Sequence, residues 1–385
     1  MVLKIEFVST HLSTFGDTMT IKVGLVSFCL NYDRGSIRRY VSNLITSMNK
    51  IRGVDTVLIT DKTLSSFANN QIQVPYFRKI KRLFQIHIPI LIKKYKFDII
   101  HYPDAIPFNF KQNTPVVFTL HGITSLILPK KFSGTSTIKR WMLYHVFKFI
   151  CKKVNQCITV SNAERDALIS ALKIDPSKVN TVYHGVSTEK FKKLEKKSVD
   201  EYLQSRFGIT RDFIFHASKY RPTKNIPNIL KALRLIEKKP LFVIGGDLNI
   251  YKSRILYLIK RYGLEEDIML TGWLNDEEML YLYNGAKAFI FPSFHESFGF
   301  PMLEAMACGT PVITSNTYSA PEIAGKAGIY VNPYDANSIS AAIEKVISDE
   351  HFRNKKSKES IKQAAKFSWE KCARETLKVY KKAVE

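Results

Sequence analysis

The stretch that decides the fold reads Glu296-Ser297-Phe298-Gly299-Phe300-Pro301-Met302-Leu303-Glu304. It follows an apolar, strand-like run at 288–293, and its proline fits the first position of a helix, where a missing N–H costs nothing. Gly299 lets the backbone come close to a ligand, and a helix start binds anions through its N–H groups and its dipole. The two glutamates lie in the loop and about one turn into the helix. A phosphate held between two acids predicts a ligand with both phosphate and hydroxyl groups, as in a nucleotide sugar.

Strand-like and helix-like segments alternate on both sides of this stretch. Predicted strands lie at 23–28, 57–60, 98–101, 116–120, 156–160, 213–217, 241–244, 268–270, 288–292 and 312–314. Such alternation is typical of parallel sheets. We therefore predict an α/β fold of two doubly wound, Rossmann-like domains facing across a cleft. Functional loops are expected at the carboxyl ends of the strands, with the ligand in the cleft.

A length of 385 residues favours two domains. We predict a first domain at 20–188, a second at 189–366 and a final helical segment at 367–385. Residues 1–19 are interpreted as a possible extension, because Met19 directly precedes the strong first strand. Neither a signal-peptide pattern nor a membrane-spanning apolar run is evident.

The chain is strongly basic, with a formal net charge of +24. Lys and Arg outnumber Asp and Glu by 27 to 11 in residues 1–190 and by 31 to 23 in residues 191–385. The electrostatic field of such a chain suits binding to nucleic acid, to an anionic membrane or to a phosphorylated substrate. The alternative is that the charges only cover solvated faces of the protein and bind no such partner. The segments 76–84 and 139–153 mix cations with aromatic residues. We interpret both as helices with one buried face and a lysine-rich outer face that docks on anionic lipid.

The five cysteines form no CxxC motif or Cys/His cluster. This argues against a disulfide framework or structural zinc site and favours a reducing compartment. The chain also lacks an Asp-x-Asp motif, so we predict that no metal is needed. The predicted location is cytoplasmic, peripheral at the inner face of the membrane.

The second half resembles the retaining glycosyltransferases of family 4, which have the GT-B fold. The matching residues are Lys224-Asn225, Gly245-Gly246, Gly272-Trp273, Pro292-Ser293, Glu296 to Glu304, the following Ala-Met-Ala-Cys-Gly-Thr-Pro-Val-Ile at 305–313 and Pro321-Glu322. The first half is similar more loosely, through 35–40, 98–101, His121-Gly122, Val160-Ser161 and 184–186.

This resemblance implies roles for individual residues. Glu296 and His121 are expected at the donor sugar, as the catalytic pair, and Glu304 at the ribose hydroxyls. Lys224 is expected to contact the diphosphate, and the final helix to cross back onto the first domain. The remaining implied donor-binding residues are Ser218, Arg221, Phe298, Gly299, Phe300, Gly246 and Trp273.

The sequence departs from the family pattern in two loops. After the first strand, Gly35-Ser36-Ile37-Arg38 replaces a glycine-rich run, so Ser36 could cap the helix and Arg38 could bind phosphate. Before Lys224, Ala217-Ser218 stands where many relatives have a Gly-Arg or Gly-Ser pair, and Thr223 stands where a basic residue is often found. Lys219 or Arg221 could compensate for the missing basic residue.

The predicted function is transfer of a sugar from a nucleotide-diphosphate sugar to a glycan or lipid-linked acceptor in bacterial surface polysaccharide assembly, with mannose from GDP-mannose as the first candidate. Another GT-B enzyme, a phosphorylase or sugar-nucleotide epimerase, is one alternative. A basic nucleic-acid-binding protein is another, although the chain lacks the motifs of that class and no nucleic-acid partner is predicted. For His121, Lys224 and Trp273, a purely structural role is the alternative to a role in the site. For Trp273 that role would be packing in the core.

Overall fold

The computed structural model describes residues 7–9, 20–28, 30, 35–61, 70–74, 88–107, 113–248 and 251–385. The chain forms two compact units. The first comprises Met1–Ile127, Ser136–Gly185 and Trp369–Glu385, and the second comprises Leu128–Thr135 and Val186–Ser368. The predicted basic segment at 76–84 lies outside the described residues.

The first unit is built on one sheet with the strand order β1-β4-β3-β2-β5-β6-β7-β8. All neighbouring strands are parallel except β1 and β4, which are antiparallel. The strands are β1 (Phe7–Ser9), β2 (Ile21–Val26), β3 (Val54–Thr60), β4 (Asn70–Gln73), β5 (Ile99–Tyr102), β6 (Val116–Leu120), β7 (Gln156–Thr159) and β8 (Val179–Thr181). Every residue of β5, β6 and β7 is buried, as expected for central strands covered on both faces.

The helices are numbered along the whole chain. Those of the first unit are α1 (Ser36–Met48), α2 (Ile88–Tyr95), α3 (Thr124–Ile127), α5 (Thr137–Lys153), α6 (Asn162–Leu172) and α15 (Trp369–Val384). The expectation that Ser36 caps a helix is wrong. Gly35 occupies the N-cap position of α1 and no side chain bonds there, because Ser36 is already inside the helix.

The last helix, α15, is an integral part of the first unit. It packs beside α1 and strands β6 and β7, and buries Trp369, Cys372, Ala373 and Tyr380. The Tyr380 hydroxyl lies 2.7 Å from Nδ1 of His101 on β5. A buried hydrogen bond thus ties this helix to the centre of the first sheet.

The second unit contains a fully parallel sheet with the order β11-β10-β9-β12-β13-β14. Its strands are β9 (Phe213–Ala217), β10 (Leu241–Gly245), β11 (Ile268–Gly272), β12 (Ala288–Phe291), β13 (Val312–Ser315) and β14 (Gly328–Val331). Its helices are α4 (Lys130–Ser133), α7 (Lys196–Phe207), α8 (Ile226–Leu235), α9 (Lys252–Tyr262), α10 (Asp276–Gly285), α11 (Phe300–Ala307), α12 (Ala320–Ala324), α13 (Ala336–Ser348) and α14 (Glu350–Ala364).

Residues 128–135 belong to the second unit, although they lie within the predicted first domain. Helix α4 contacts the 3₁₀ turn Pro222–Lys224. The ring of Phe132 packs on that of Phe294, with centroids 4.7 Å apart. This aromatic contact explains why the short segment joins the second unit.

Among the described residues, no helix is long and apolar enough to cross a bilayer. In the same part of the chain, no three His, Cys, Asp or Glu side chains lie together as a metal ion would require.

Candidate active site

The candidate site of the second unit surrounds the loop that joins β12 to α11. Gly299 is the N-cap residue of α11, with φ +97° and ψ +56°, a conformation that side chains disfavour. The helix begins at Phe300. Pro301 is therefore its second residue, and the prediction that this proline is the first residue of the helix is wrong. The proline is tolerated there because the first N–H groups of a helix have no partner within it.

Lys224 and Glu296 form an ion pair, Nζ to Oε1. The two side chains are only 18% and 10% exposed. The ammonium also lies 4.7 Å from the centroid of the Phe291 ring, in a cation–π contact. Ser319 donates its hydroxyl to the Glu296 carbonyl oxygen at 2.6 Å and so fixes the loop backbone. A cation and a carboxylate are therefore held together, largely shielded from water, at the predicted donor site.

Asn225 directly follows Lys224 and holds the end of its turn in place, a role that the sequence pattern did not reveal. It adopts φ +63° directly after the 3₁₀ turn that ends at Lys224. Its side-chain amide donates to the carbonyl oxygens of Pro292 at 3.0 Å and Pro333 at 2.6 Å. Asparagine tolerates this left-handed conformation better than most residues, so an Asn after the lysine was the available sequence signal.

Glu304 has a different set of contacts from Glu296. Its side chain is buried in α11 and its Oε2 accepts a hydrogen bond from the Tyr283 hydroxyl at 3.1 Å. Tyr283 is itself buried, and its carbonyl oxygen accepts from the Thr310 hydroxyl at 2.6 Å. The two predicted acids are thus fixed by separate partners, one by a lysine and one by a tyrosine.

Ser218 follows β9, and both of its hydrogen-bond donors are used within the protein. Burial lowers the pKa of His216 to about 4, so the ring is neutral at pH 7. His216 Nδ1 donates to the Ile290 carbonyl oxygen at 2.8 Å, and Nε2 therefore accepts from the Ser218 hydroxyl at 2.8 Å. The Ser218 N–H donates to the Gly245 carbonyl oxygen at 3.1 Å. Ser218 can consequently offer a ligand only an acceptor oxygen, which suits a hydroxyl better than a phosphate.

Gly246 makes a close backbone approach that requires glycine. Its φ is +106°, and a Cβ atom there would lie 2.0 Å from the Ser218 carbonyl oxygen. The Gly246 N–H also donates to the Gly272 carbonyl oxygen at 2.6 Å. The loops after β9, β10 and β11 are therefore linked at one edge of the sheet.

Gly246→Ala is expected to lower the free energy of unfolding by about 1–3 kcal/mol, because the clash involves backbone atoms and the conformation is strained. Urea unfolding measures the effect. Gly263→Ala is the matched control, since Gly263 also has a positive φ of +63° but a Cβ atom there would meet nothing within 4 Å. Equal losses in the two variants would show that the contact with Ser218 is unimportant.

The other predicted donor-binding residues differ in their exposure to solvent: two are exposed and two are buried. Arg221 is exposed at the start of the 3₁₀ turn. Trp273 is exposed after Gly272, so the alternative that it packs in the core is wrong. Phe298 and Phe300 are buried, with ring centroids 5.4 Å apart, so their backbone rather than their rings is available to a ligand.

His121 lies in the first unit, directly after β6. Its Nε2 donates to the Pro103 carbonyl oxygen at 2.7 Å, and burial lowers its pKa to about 4. Nδ1 of the neutral ring is therefore a hydrogen-bond acceptor. The ring also stacks on His184, with centroids 5.7 Å apart, and meets Tyr40 edge-on at 4.9 Å. These contacts fit an oriented catalytic imidazole as well as a structural role, and the catalytic role stays a prediction.

The predicted loop of the first unit precedes α1. Gly35 has φ −94°, which any residue adopts, so the backbone there does not require glycine. Arg38 is partly buried in the first turn of the helix, where a cation near the amino end could contact a phosphate. The contribution of Gly35, Ser36 and Arg38 to binding remains a prediction.

Two family models match the chain. The model of Glycosyltransferase Family 4 matches residues 37–190, and the model of the glycosyl transferases group 1 matches residues 203–367. The chain belongs to the family 4 glycosyltransferases, as the resemblance predicted.

The chain is similar to curated mannosyltransferases. It is 31% identical to O-antigen chain mannosyltransferase B of Escherichia coli over 230 residues, 58% of this chain and 60% of that protein. It is 28% identical to the serotype-specific mannosyltransferase WbdA of E. coli over 260 residues, 66% of this chain and 32% of that protein. The matches thus span 60% or less of these relatives' own lengths.

Solved structures share the fold. A glycosyltransferase from Rickettsia africae has a TM-score of 0.78 at 21% identity, covering 95% of this chain and 99% of that one. HepE of Anabaena, in complex with UDP-glucose, has a TM-score of 0.75 at 16% identity, covering 93% and 98%. Together with the two α/β units, in each of which helices alternate with the strands of a largely parallel sheet, these likenesses confirm the predicted GT-B fold class.

Proposed function

We propose that this protein is a retaining glycosyltransferase that moves a sugar from a nucleotide-diphosphate sugar to a glycan or lipid-linked acceptor. The proposed donor is GDP-mannose, in keeping with relatives named as O-antigen mannosyltransferases. The proposed setting is assembly of a bacterial surface polysaccharide, in the cytoplasm at an anionic membrane surface. Family membership supports the reaction class, and the site supports the chemistry.

The observation that carries the proposal is the shielded pair of Lys224 and Glu296 beside the start of α11. A lysine acts on phosphate as a compact point charge, and a helix start adds a positive partial charge. Both stabilise the negative charge that grows on a departing diphosphate. The carboxylate beside them stabilises the positive charge that grows on the sugar ring.

Three further groups suit the donor's hydroxyls. Glu304, oriented by Tyr283, is the proposed acceptor for the ribose hydroxyls. The oxygen of Ser218 can accept from another hydroxyl, because its own proton is held by His216. His121 is proposed to accept from the donor sugar through Nδ1, since its Nε2 already donates to Pro103.

The proposed reaction proceeds on the front face of the sugar, as the family resemblance implies. The bond from the anomeric carbon to the β-phosphate oxygen breaks, and a bond from the acceptor oxygen to that carbon forms on the same side. The acceptor's proton passes to the leaving phosphate, so configuration is retained without a separate base. Lys224 and the helix start would supply the charge that other enzymes take from a metal, and independence from metal is therefore part of the proposal.

The proposal is tested by thermal-shift and hydrolysis measurements on the full chain with a panel of nucleotide sugars, with and without EDTA. One nucleoside-diphosphate sugar should raise the melting temperature and be slowly hydrolysed in either condition. Product NMR should then show the donor's anomeric configuration. Dependence on inorganic phosphate would instead indicate a phosphorylase, and isomerisation without acceptor an epimerase. No response to any donor would contradict the proposal altogether.

A further inference from the structure

Helix α5 carries a solvent-exposed apolar face. Ile138, Trp141, Met142 and Phe149 are 82%, 65%, 50% and 54% exposed. Their spacing of three, four and eleven residues from Ile138 places them on one side of the helix, over about 16 Å. Among the described residues, no other helix exposes more than two large apolar side chains. The outer face of this helix therefore has an apolar centre, which the prediction of a lysine-rich face did not include.

The opposite side of α5 already secures the helix to the first unit. Ile150 and Cys151 are buried in the core, and Tyr144, Val146 and Phe147 pack against it. The exposed face is thus not needed to fill the core. Large apolar side chains grouped on a surface mark a site of interaction.

Cations accompany this apolar face. The helix sequence Thr137–Lys153 contains five Lys or Arg residues and no Asp or Glu. Lys139, Lys152 and Lys153 are exposed, and Lys148 donates to the Tyr144 hydroxyl at 2.9 Å, with its ammonium 5.1 Å from that ring's centroid. The surface therefore combines an apolar centre, including a tryptophan, with positive flanks.

We infer that this face of α5 docks on the surface of an anionic lipid bilayer. An interfacial helix buries its apolar face at the boundary of headgroups and acyl chains, and its cations contact lipid phosphates. Tryptophan is favoured at that depth. A second copy of the chain is a poorer occupant, since it would bring the exposed Lys139, Lys152 and Lys153 of its own α5 close to those of the first copy. This inference rests on the membrane contact in the proposed function, and it names the surface that makes the contact.

The test measures binding of the full chain to vesicles by sedimentation, with no donor or acceptor present. The vesicles are phosphatidylcholine alone, or equal parts phosphatidylcholine and phosphatidylglycerol. We expect binding to the anionic vesicles only, weakening as salt is added. Trp141→Ser should reduce the partition coefficient about tenfold, and the double variant Ile138→Glu/Met142→Glu should abolish binding. Tyr257→Ser, which removes an exposed aromatic side chain from α9, should leave it unchanged.

Failure of this inference is distinguishable from failure of the proposed function. Trp141→Ser should hydrolyse a soluble donor at the wild-type rate, because α5 carries none of the proposed donor-binding residues. Equal binding to both vesicles, no binding, or wild-type binding by the α5 variants would overturn the inference. So would a dimer that Trp141→Ser dissociates in the absence of vesicle binding. Anionic-vesicle binding without use of any nucleotide sugar would leave this inference intact and refute the transfer reaction.

Discussion

Replacing Glu296 with glutamine is expected to reduce sugar transfer by about 10²–10³-fold, the usual loss when one preorganised electrostatic group is removed from an active site. Glutamine keeps the size of the side chain and can still accept a hydrogen bond from Lys224, so the local packing is preserved. What is lost is the negative charge proposed to stabilise the sugar in the transition state. Initial rates with saturating donor and acceptor measure the effect, with circular dichroism to show that the fold survives.

Glu277→Gln is the matched control for this variant, because Glu277 is an exposed acid on α10 in the same unit. It should transfer sugar at the wild-type rate. Near-normal turnover by Glu296→Gln would rule out the proposed role and leave the ion pair with Lys224 as a structural contact.

The second large effect is expected at Lys224. Lys224→Met should lower kcat by about 10²–10³-fold and raise the KM for the donor, because methionine fills similar space without a charge for the diphosphate. It should also lower the free energy of unfolding, since Glu296 would be left a largely buried carboxylate without its cation. Steady-state kinetics and urea unfolding measure the two effects.

The double variant Lys224→Met/Glu296→Gln separates structure from catalysis. It leaves no unpaired charge, so its stability should exceed that of Lys224→Met, while its activity should stay as low. Lys231→Met, an exposed lysine on α8, should change neither property. Recovery of activity in the double variant would mean that the lysine serves only to neutralise the glutamate.

The alternation of segments and the loop before α11 were predictable from the sequence, because both depend on local patterns. The buried strands β9, β10 and β12 have near-continuous apolar sequences. Gly299, in the loop before α11, has a positive φ of +97°, a conformation that glycine adopts readily. Errors of one residue, as at Pro301 and Ser36, arise because several positions in a first turn tolerate the same residue types.

Contacts between distant residues could not be predicted in this way. Lys224 and Glu296 are 72 positions apart, and only the adjacency of β9 and β12 in the sheet brings their loops together. The bond from Ser218 to His216 likewise depends on which carbonyl group the buried ring faces. On α5, periodicity distinguishes two faces but not which one the rest of the unit covers.

Completion of the first unit by α15 has a consequence for biosynthesis. Residues 369–384 emerge from the ribosome after every strand of the second unit, yet they supply Tyr380, which bonds to His101 in the first sheet. The second sheet can therefore close while the first still lacks its last helix. Nascent chains halted before residue 369 should accordingly yield a protease-resistant second half and a first half that is still cleaved, the reverse of the usual order in which domains mature during translation.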